Sequence, residues 1–371
     1  MRLAFCNATR RWGGVKTWTI EFAGALQDRG HEITVYGRDP AFVERAGLQG
    51  LDARLVDFSF DYNPLVVAGF YRDFRRRGIE AVLVNVSKDL RTAGAAARLA
   101  GIPLVQRVGL PRDMENTAST RLSHFLLQPH YLCPCRYIRD GLLRALPFLE
   151  ETDTSVVYSA KVPLSEPPKG AEVPRRILSS SQVNANKGHA ELARTLAALM
   201  REGIAFHWDI AGTGNRLEDL RALCSSLGLE DRVTFHGFTQ DLPALLRACD
   251  VFVLSSYTEG LPNTLLEAMA HGLVPVARNV GGVQECWPSG LESLLVPYEG
   301  WERDAEWNEN GSAMPFLAPL RRVLLAADDD LIRWKGEAWT HMTDNFSLSA
   351  QAEKLEALFV TLCSKAARAN N

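Results

Sequence analysis

No window of about eighteen apolar residues occurs in the 371-residue chain, so nothing in it reads as a membrane-spanning helix. The opening MRLAFCNATRRWGG has too short an apolar core for a signal peptide, and a cytoplasmic protein is expected. A strong excess of basic residues is also missing. The formal net charge of -3 excludes a grossly basic nucleic-acid binder, and no nucleic-acid partner is expected. The seven cysteines (6, 133, 135, 224, 249, 286 and 363) are scattered, and their odd number fits a reducing compartment rather than a disulfide framework. Cys133-Pro-Cys135 is the one close pair. No second pair or His cluster at zinc spacing accompanies it, so both read as small buried residues. Fixed-period repeats and low-complexity tracts are absent. The sole Asp-x-Asp, within Asp328-Asp329-Asp330, reads as a solvated helix surface, so neither metal nor other cofactor is expected.

The composition that remains, 46% hydrophobic and 23% charged, is that of a globular protein long enough for two domains. The charge is uneven. Residues 1–160 hold 21 Lys and Arg against 17 Asp and Glu, a net of +4, which leaves -7 for the rest. The small basic excess suits an anionic partner or a peripheral contact with a membrane face, and equally a randomly uneven surface.

Short apolar runs alternate with amphipathic stretches. LAFCN (3–7), EITVYG (32–37), EAVLVNVS (80–87), PLVQRV (103–108) and HYLCP (130–134) read as strands. A helix over Lys16 to Arg29 is closed by Gly30, and another through AGAAARLA by Gly101. The proline-rich SAKVPLSEPPKGAEVPR (159–175) reads as a linker. The pattern then restarts with RILSSS (176–181), and continues through FHWDIAG, RVTFHG, VFVLSS and VPVAR, each followed by a helix or turn. Two doubly wound α/β domains facing a cleft are predicted, with the strand ends at the cleft as the binding edge. WERDAEWNENGS (301–312) reads as a polar surface insertion.

SSYTEGLPNTLLEAMAHG (255–272) places Glu259 and Glu267 eight positions apart, across a strand-to-helix turn. Asn263 is the expected N-cap and Thr264 the first helical residue. The amides of Thr264, Leu265 and Leu266 would then form an anion site at the helix N-terminus. Glu267, one turn in, would reach a vicinal diol such as a ribose. Glu259, before the helix, would accept from hydroxyls of a second sugar. Dipole preference alone would explain Glu267, but not Glu259 beside Gly260.

The stretch SSYTEGLPNTLLEAMAHGLVPVARNVGGVQE resembles the nucleotide-sugar signature of glycosyltransferase family 4, retaining enzymes of the GT-B fold. Gly272, Pro275, Gly281, Gly282 and Glu285 fill further positions of that signature. The likeness extends to ATRRWGGVKTWTIEFAGALQDRGHEITVYG, to LGLEDRVTFHGFTQDLPALLRACDVFVLSS and to NFSLSAQAEKLEALFVTL. It implies an acceptor-binding domain over 1–160, a donor-binding domain over 175–345, and a C-terminal helix of about 346–368 returning to the first domain. Its implied donor is a nucleotide sugar, and its acceptor a carbohydrate or lipid-linked saccharide of cell-surface polysaccharide or lipopolysaccharide.

Carried over by motif, Glu267 resembles the carboxylate that binds the ribose. Glu259 resembles the one that contacts donor-sugar hydroxyls, helped by backbone from Gly260, Leu261, Pro262 and Asn263. Lys187 aligns with the lysine that neutralises the diphosphate, and Gly13 and Gly14 with the loop that lets backbone approach it. His236, Gly237 and Phe238 align with the segment whose backbone touches the base, and Gly212 joins the donor set. The chain departs from the pattern twice. Ser181-Gln182 stands where the family has Gly-Arg, so a charged diphosphate contact is missing or comes from elsewhere, with Arg107 or Arg278 as alternatives. Arg107-Val108-Gly109 stands where many members carry a histidine. Arg107, Lys88 and Asp89 are the replacement candidates, against a reading of Lys88 and Asp89 as a surface ion pair. Other GT-B enzymes such as sugar-nucleotide epimerases or phosphorylases stay open. So do a two-domain oxidoreductase, through AGTGNRL (211–217), and a non-catalytic sugar-nucleotide-binding relative.

Overall fold

The computed structural model describes all residues except 11, 111–112, 167–169, 171–172, 240, 299–313 and 370–371. The insertion expected at 301–312 lies outside the described residues. The chain forms two compact units, one of Met1–Ser159 with Leu348–Asn371 and one of Ala160–Ser347.

In the first unit, seven strands form a parallel sheet: β1 (Arg2–Asn7), β2 (Glu32–Gly37), β3 (Asp52–Leu55), β4 (Ala81–Val84), β5 (Leu104–Arg107), β6 (His130–Cys133) and β7 (Thr154–Val156). Their order is β3-β2-β1-β4-β5-β6-β7. The central strands are buried on both faces, as the unbroken apolar run AVLV of β4 requires. Strand order reverses between β1 and β4, and such switch points open a crevice at the carboxyl ends of the strands. The helix Leu348–Ala369 belongs to this unit. Phe359 lies edge-on to Phe5 of β1 at 6.3 Å, and Glu356 pairs with Arg29 and, at 3.0 Å, with His31.

In the second unit, six strands form the other parallel sheet: β8 (Arg175–Ser180), β9 (Phe206–Ala211), β10 (Val233–Gly237), β11 (Val251–Leu254), β12 (Val274–Arg278) and β13 (Leu295–Val296). Their order is β10-β9-β8-β11-β12-β13, which puts the switch point between β8 and β11. Trp208 is fully buried, and its indole N–H donates to Ser179 Oγ at 3.1 Å, so the large ring enters the core without an orphaned donor. Asp328, Asp329 and Asp330 are exposed in the first turn of the helix Asp328–Phe346, where Asp328 holds Arg175 and Asp330 holds Arg333.

Candidate functional site

The loops that leave β8 and β11 meet at the switch point of the second unit. After β8 the chain runs through Gln182 to a short turn, Ala185–Lys187. Tyr257 N–H donates to the Asn186 carbonyl at 2.9 Å, and Ser255 Oγ to the Lys187 carbonyl at 2.7 Å. The segment after β11 therefore fixes the backbone that carries Lys187. It also supplies a counter-charge. Lys187 Nζ donates to Glu259 Oε1 at 2.6 Å, with both side chains largely buried. The two residues carried over with separate roles form one ion pair.

Glu259 is held from behind. Gly281, at φ 59°, lies so close that an added Cβ would overlap the Glu259 carbonyl oxygen, and Gly282 N–H donates to the Gly260 carbonyl at 2.7 Å. The helix Asn263–Ala270 follows, with Pro262 as its N-cap. This corrects the expected start at Thr264 by one residue. It also corrects the anion site, because Leu265 and Leu266 N–H both donate to the Pro262 carbonyl, at 3.1 and 3.2 Å. Asn263 and Thr264 are left with amides lacking a backbone acceptor among the described residues. Leu265 and Leu266 instead anchor the helix with fully buried side chains, and Leu261 is buried beside them. Glu267 is half-buried, and its carboxylate has no partner among the described residues.

Gln182 is exposed, and its Oε1 accepts from Asn184 Nδ2 at 3.0 Å. Arg278 does not fill the charge missing there. It is buried at the end of β12, donates to Glu191 Oε2 at 2.5 Å, and lies over the Tyr257 ring at 4.4 Å. Tyr257 OH donates to the same Glu191 oxygen at 2.6 Å, and Arg278 Nε donates to the Ser255 carbonyl at 3.3 Å. Glu191, Tyr257 and Arg278 thus brace the segment that holds Lys187. Sequence reasoning missed this trio as a unit, since no local pattern joins positions 87 residues apart. His189, next to Lys187, is pushed down to about 4 by burial and then by that lysine, so it is neutral near pH 7.

Gly212 has φ 147°, and an added Cβ would overlap the Ser181 carbonyl oxygen. Its N–H donates to the Gly237 carbonyl at 2.7 Å. The glycines of AGTGNRL are therefore filled by the neighbouring loop, since Gly214 meets Val183 in the same way. His236 gives its side chain to the fully buried Asp209, at 2.7 Å, and Phe238 stands out at 79% exposure.

The remaining candidates lie in the first unit. Gly13 caps and Gly14 opens the helix Gly14–Asp28, and a Cβ at Gly13 would meet nothing within 4 Å. The surface pair Lys88–Asp89 is not formed. Lys88 pairs with Asp61 at 2.5 Å, while Asp89 is fully buried and accepts the N–H of Ala8, Asn85 and Val86. Burial pushes Asp89 up to about 7, against those three bonds. Arg107 is buried, with its guanidinium 4.7 Å from the Trp18 ring.

The Lys187–Glu259 pair gives a test of its own. If the roles carried over by motif hold, Glu259 competes with a diphosphate for Lys187 whenever no sugar occupies it. Glu259→Gln is therefore expected to tighten the bare nucleoside diphosphate several-fold, on the scale of about 1 kcal/mol for an unmade ion pair, while weakening the nucleotide sugar. Calorimetry with both ligands checks the opposite signs.

Two Rossmann-like units, the second with a lysine, two carboxylates and a helix N-terminus at its switch point, have the architecture of the GT-B fold. Residues 12–160 match the model of Glycosyltransferase Family 4, and residues 174–306 that of Glycosyl transferases group 1. Both are models of glycosyltransferases, and between them they span most of the chain. It is 32% identical over 146 residues to a Salmonella typhimurium glycosyltransferase named for colanic acid biosynthesis, covering 37% of this chain and 35% of that relative's length. It is 28% identical to a GDP-mannose-dependent phosphatidylinositol monomannoside mannosyltransferase of Mycobacterium tuberculosis, over 80% of this chain and 84% of that one. The fold is that of Anabaena Alr3699/HepE, solved in complex with UDP, with a TM-score of 0.76, 18% identity, and coverage of 97% of this chain and 100% of that one. Among the described residues, no helix is long and apolar enough to cross a membrane.

Proposed function

We propose that the protein is a retaining glycosyltransferase that moves a sugar from a nucleoside-diphosphate sugar to an acceptor hydroxyl, in the synthesis of a cell-surface polysaccharide or lipopolysaccharide. The observation that carries this reading is the Lys187–Glu259 pair at 2.6 Å at the switch point of the second unit, with Glu267 on the helix that follows and without a partner among the described residues. The names of the relatives support it, since one is GDP-mannose-dependent and another is named for colanic acid. In this reading Glu267 holds the ribose, Glu259 the sugar hydroxyls, and Lys187 with the Asn263 and Thr264 amides the diphosphate. The bond from the anomeric carbon to the phosphate oxygen breaks, and the acceptor oxygen bonds to that carbon from the same face. The acceptor's proton passes to the departing phosphate. The protein's part is to stabilise charge developing on that phosphate. The acceptor is a carbohydrate or lipid-linked saccharide. A peripheral contact with an anionic membrane face belongs to the same reading. The +4 balance of residues 1–160 supports it, as do Leu122, Phe125 and Leu126, all more than half exposed on one helix face.

The test is calorimetry or a thermal-shift panel of UDP, GDP, ADP and CDP, followed by turnover with the matching nucleotide sugars. A nucleotide at a hundred times its dissociation constant should stabilise the protein by about 2.7 kcal/mol. A panel with no response would reject the donor site.

Metal independence follows from using Lys187 and helix amides at the diphosphate. Activity in excess EDTA should equal activity with added magnesium or manganese. Loss in EDTA that either ion restores would reject this arrangement.

A further inference from the structure

Among the described residues, five Lys or Arg side chains are buried: Lys16, Arg107, Arg175, Arg278 and Lys335. Four of them hold a carboxylate. Lys16 has Asp39 at 2.6 Å, Arg278 has Glu191 at 2.5 Å, Lys335 has Asp250 at 2.7 Å, and Arg175 has Asp328. Arg107, at 7% exposure, has no ion pair or hydrogen bond among the described residues. An uncompensated buried charge is strongly destabilising, and this fold compensates every other one.

The surroundings of Arg107 carry further polar groups without partners. Its guanidinium lies over the ring of Trp18, whose Nε1 is buried and has no acceptor. The β4–β5 ladder ends at the pair Val84–Gln106, and Asn85 and Arg107 are the residues that follow it on the two strands. Asn85 is buried too. Its Nδ2 is used by the Cys6 carbonyl at 2.9 Å, while its Oδ1 has no donor. The carboxylate that acts on Arg107 electrostatically is Asp113, and its Oδ2 is taken by the N–H groups of Gly109 and Leu110, at 2.9 and 2.7 Å. Burial pushes Arg107 down to about 10, which leaves it charged at neutral pH. Two unused donors and one unused acceptor thus lie beside the switch point of the first unit, and the carboxylate that acts on Arg107 is already held by backbone N–H groups.

We propose that Arg107, Trp18 Nε1 and Asn85 Oδ1 bind an oxyanion carried by the saccharide acceptor, a carboxylate or a phosphate beside a hydroxyl. This deepens the glycosyltransferase reading and rests on it for the word acceptor. Guanidinium and indole N–H groups suit the oxyanion, and the amide oxygen suits the neighbouring hydroxyl. The acceptor is favoured over the donor diphosphate because Lys187, Glu259 and Glu267 all lie in the second unit, whereas this cluster lies wholly in the first.

The test uses the full chain with D-glucuronate, glucose 1-phosphate, methyl glucoside and UDP, on wild type, Arg107→Gln, Arg107→Lys and Trp18→Phe. For wild type, at least one of the two anionic sugars should raise the melting temperature and methyl glucoside should not. Which anion acts distinguishes carboxylate from phosphate. Arg107→Gln should weaken that ligand at least ~10-fold, with Arg107→Lys and Trp18→Phe between, and should leave the UDP response unchanged. Ligand-free Arg107→Gln should melt no lower than wild type, because it removes a buried charge that no ion pair or hydrogen bond holds among the described residues. A lower melting temperature in that variant, with no anion response in wild type, would make Arg107 a structural residue and overturn the proposal. Loss of the UDP response in Arg107→Gln would assign the residue to the donor and overturn it as well. An anion response in a wild type that ignores UDP would support the anion site while rejecting the donor reading.

Discussion

Lys187→Ala is expected to lower kcat/KM by at least ~100-fold, the scale found when one preorganised donor is lost at a developing charge. Two features of the structure raise the demand on this lysine. Gln182 brings no charge to the same loop, and Arg278 is committed to Glu191. Of the amides at the helix N-terminus, only Asn263 and Thr264 keep an N–H without a backbone acceptor among the described residues. The side chain sits on a backbone fixed by Ser255 and Tyr257, so its removal should leave the loop in place. The loss should then fall mainly in kcat, with a lowered melting temperature because Glu259 loses its partner. Steady-state kinetics beside a melting curve decides the matter. A variant within a few-fold of wild type would mean that the diphosphate lies elsewhere.

Glu267→Ala is expected to weaken nucleoside diphosphate binding about 10- to 150-fold, from charge-assisted hydrogen bonds of ~1.5–3 kcal/mol to the ribose diol. Its carboxylate has no protein partner among the described residues, so the truncation strands no other group. The position is one turn into a helix otherwise held by Leu265, Leu266 and Ala268, all fully buried, and alanine is the best helix former there. The mutant should therefore melt normally, and calorimetry can be read as affinity alone. Unchanged binding in that folded protein would remove Glu267 from the site.

The parallel sheets were legible because their central strands are unbroken apolar runs, such as AVLV in β4 and VFVL in β11. β3 is not legible in the sequence because DARL has no apolar run and lies at the half-exposed edge of its sheet. β7 has three residues, too few for a pattern. The helix start at 263 was read one residue late, since Asn is a favoured N-cap and Pro262 is not, yet the Pro262 carbonyl takes the first bonds. Lys88 and Asp89, after the strand AVLVNV, read either as cleft residues or as a surface ion pair. Adjacent residues in a helical turn point apart, and each found its own partner across the fold. The motif signalled Lys187 and Glu259 separately. Their direct contact spans 72 residues and needed the structure.

The return of the helix Leu348–Ala369 to the first unit has a consequence for synthesis. Residues 348–369, translated after the whole second unit, finish the unit translated before it. Until then, Phe5 lacks Phe359, and Arg29 and His31 lack Glu356. The second unit, Ala160–Ser347, is continuous in sequence and has all its residues before that moment. At about 5–20 residues per second, the first unit waits some ten seconds or more with an apolar face uncovered. The order of completion is thus the reverse of the order of translation, and chaperone dependence should fall on the unit whose chain emerges first.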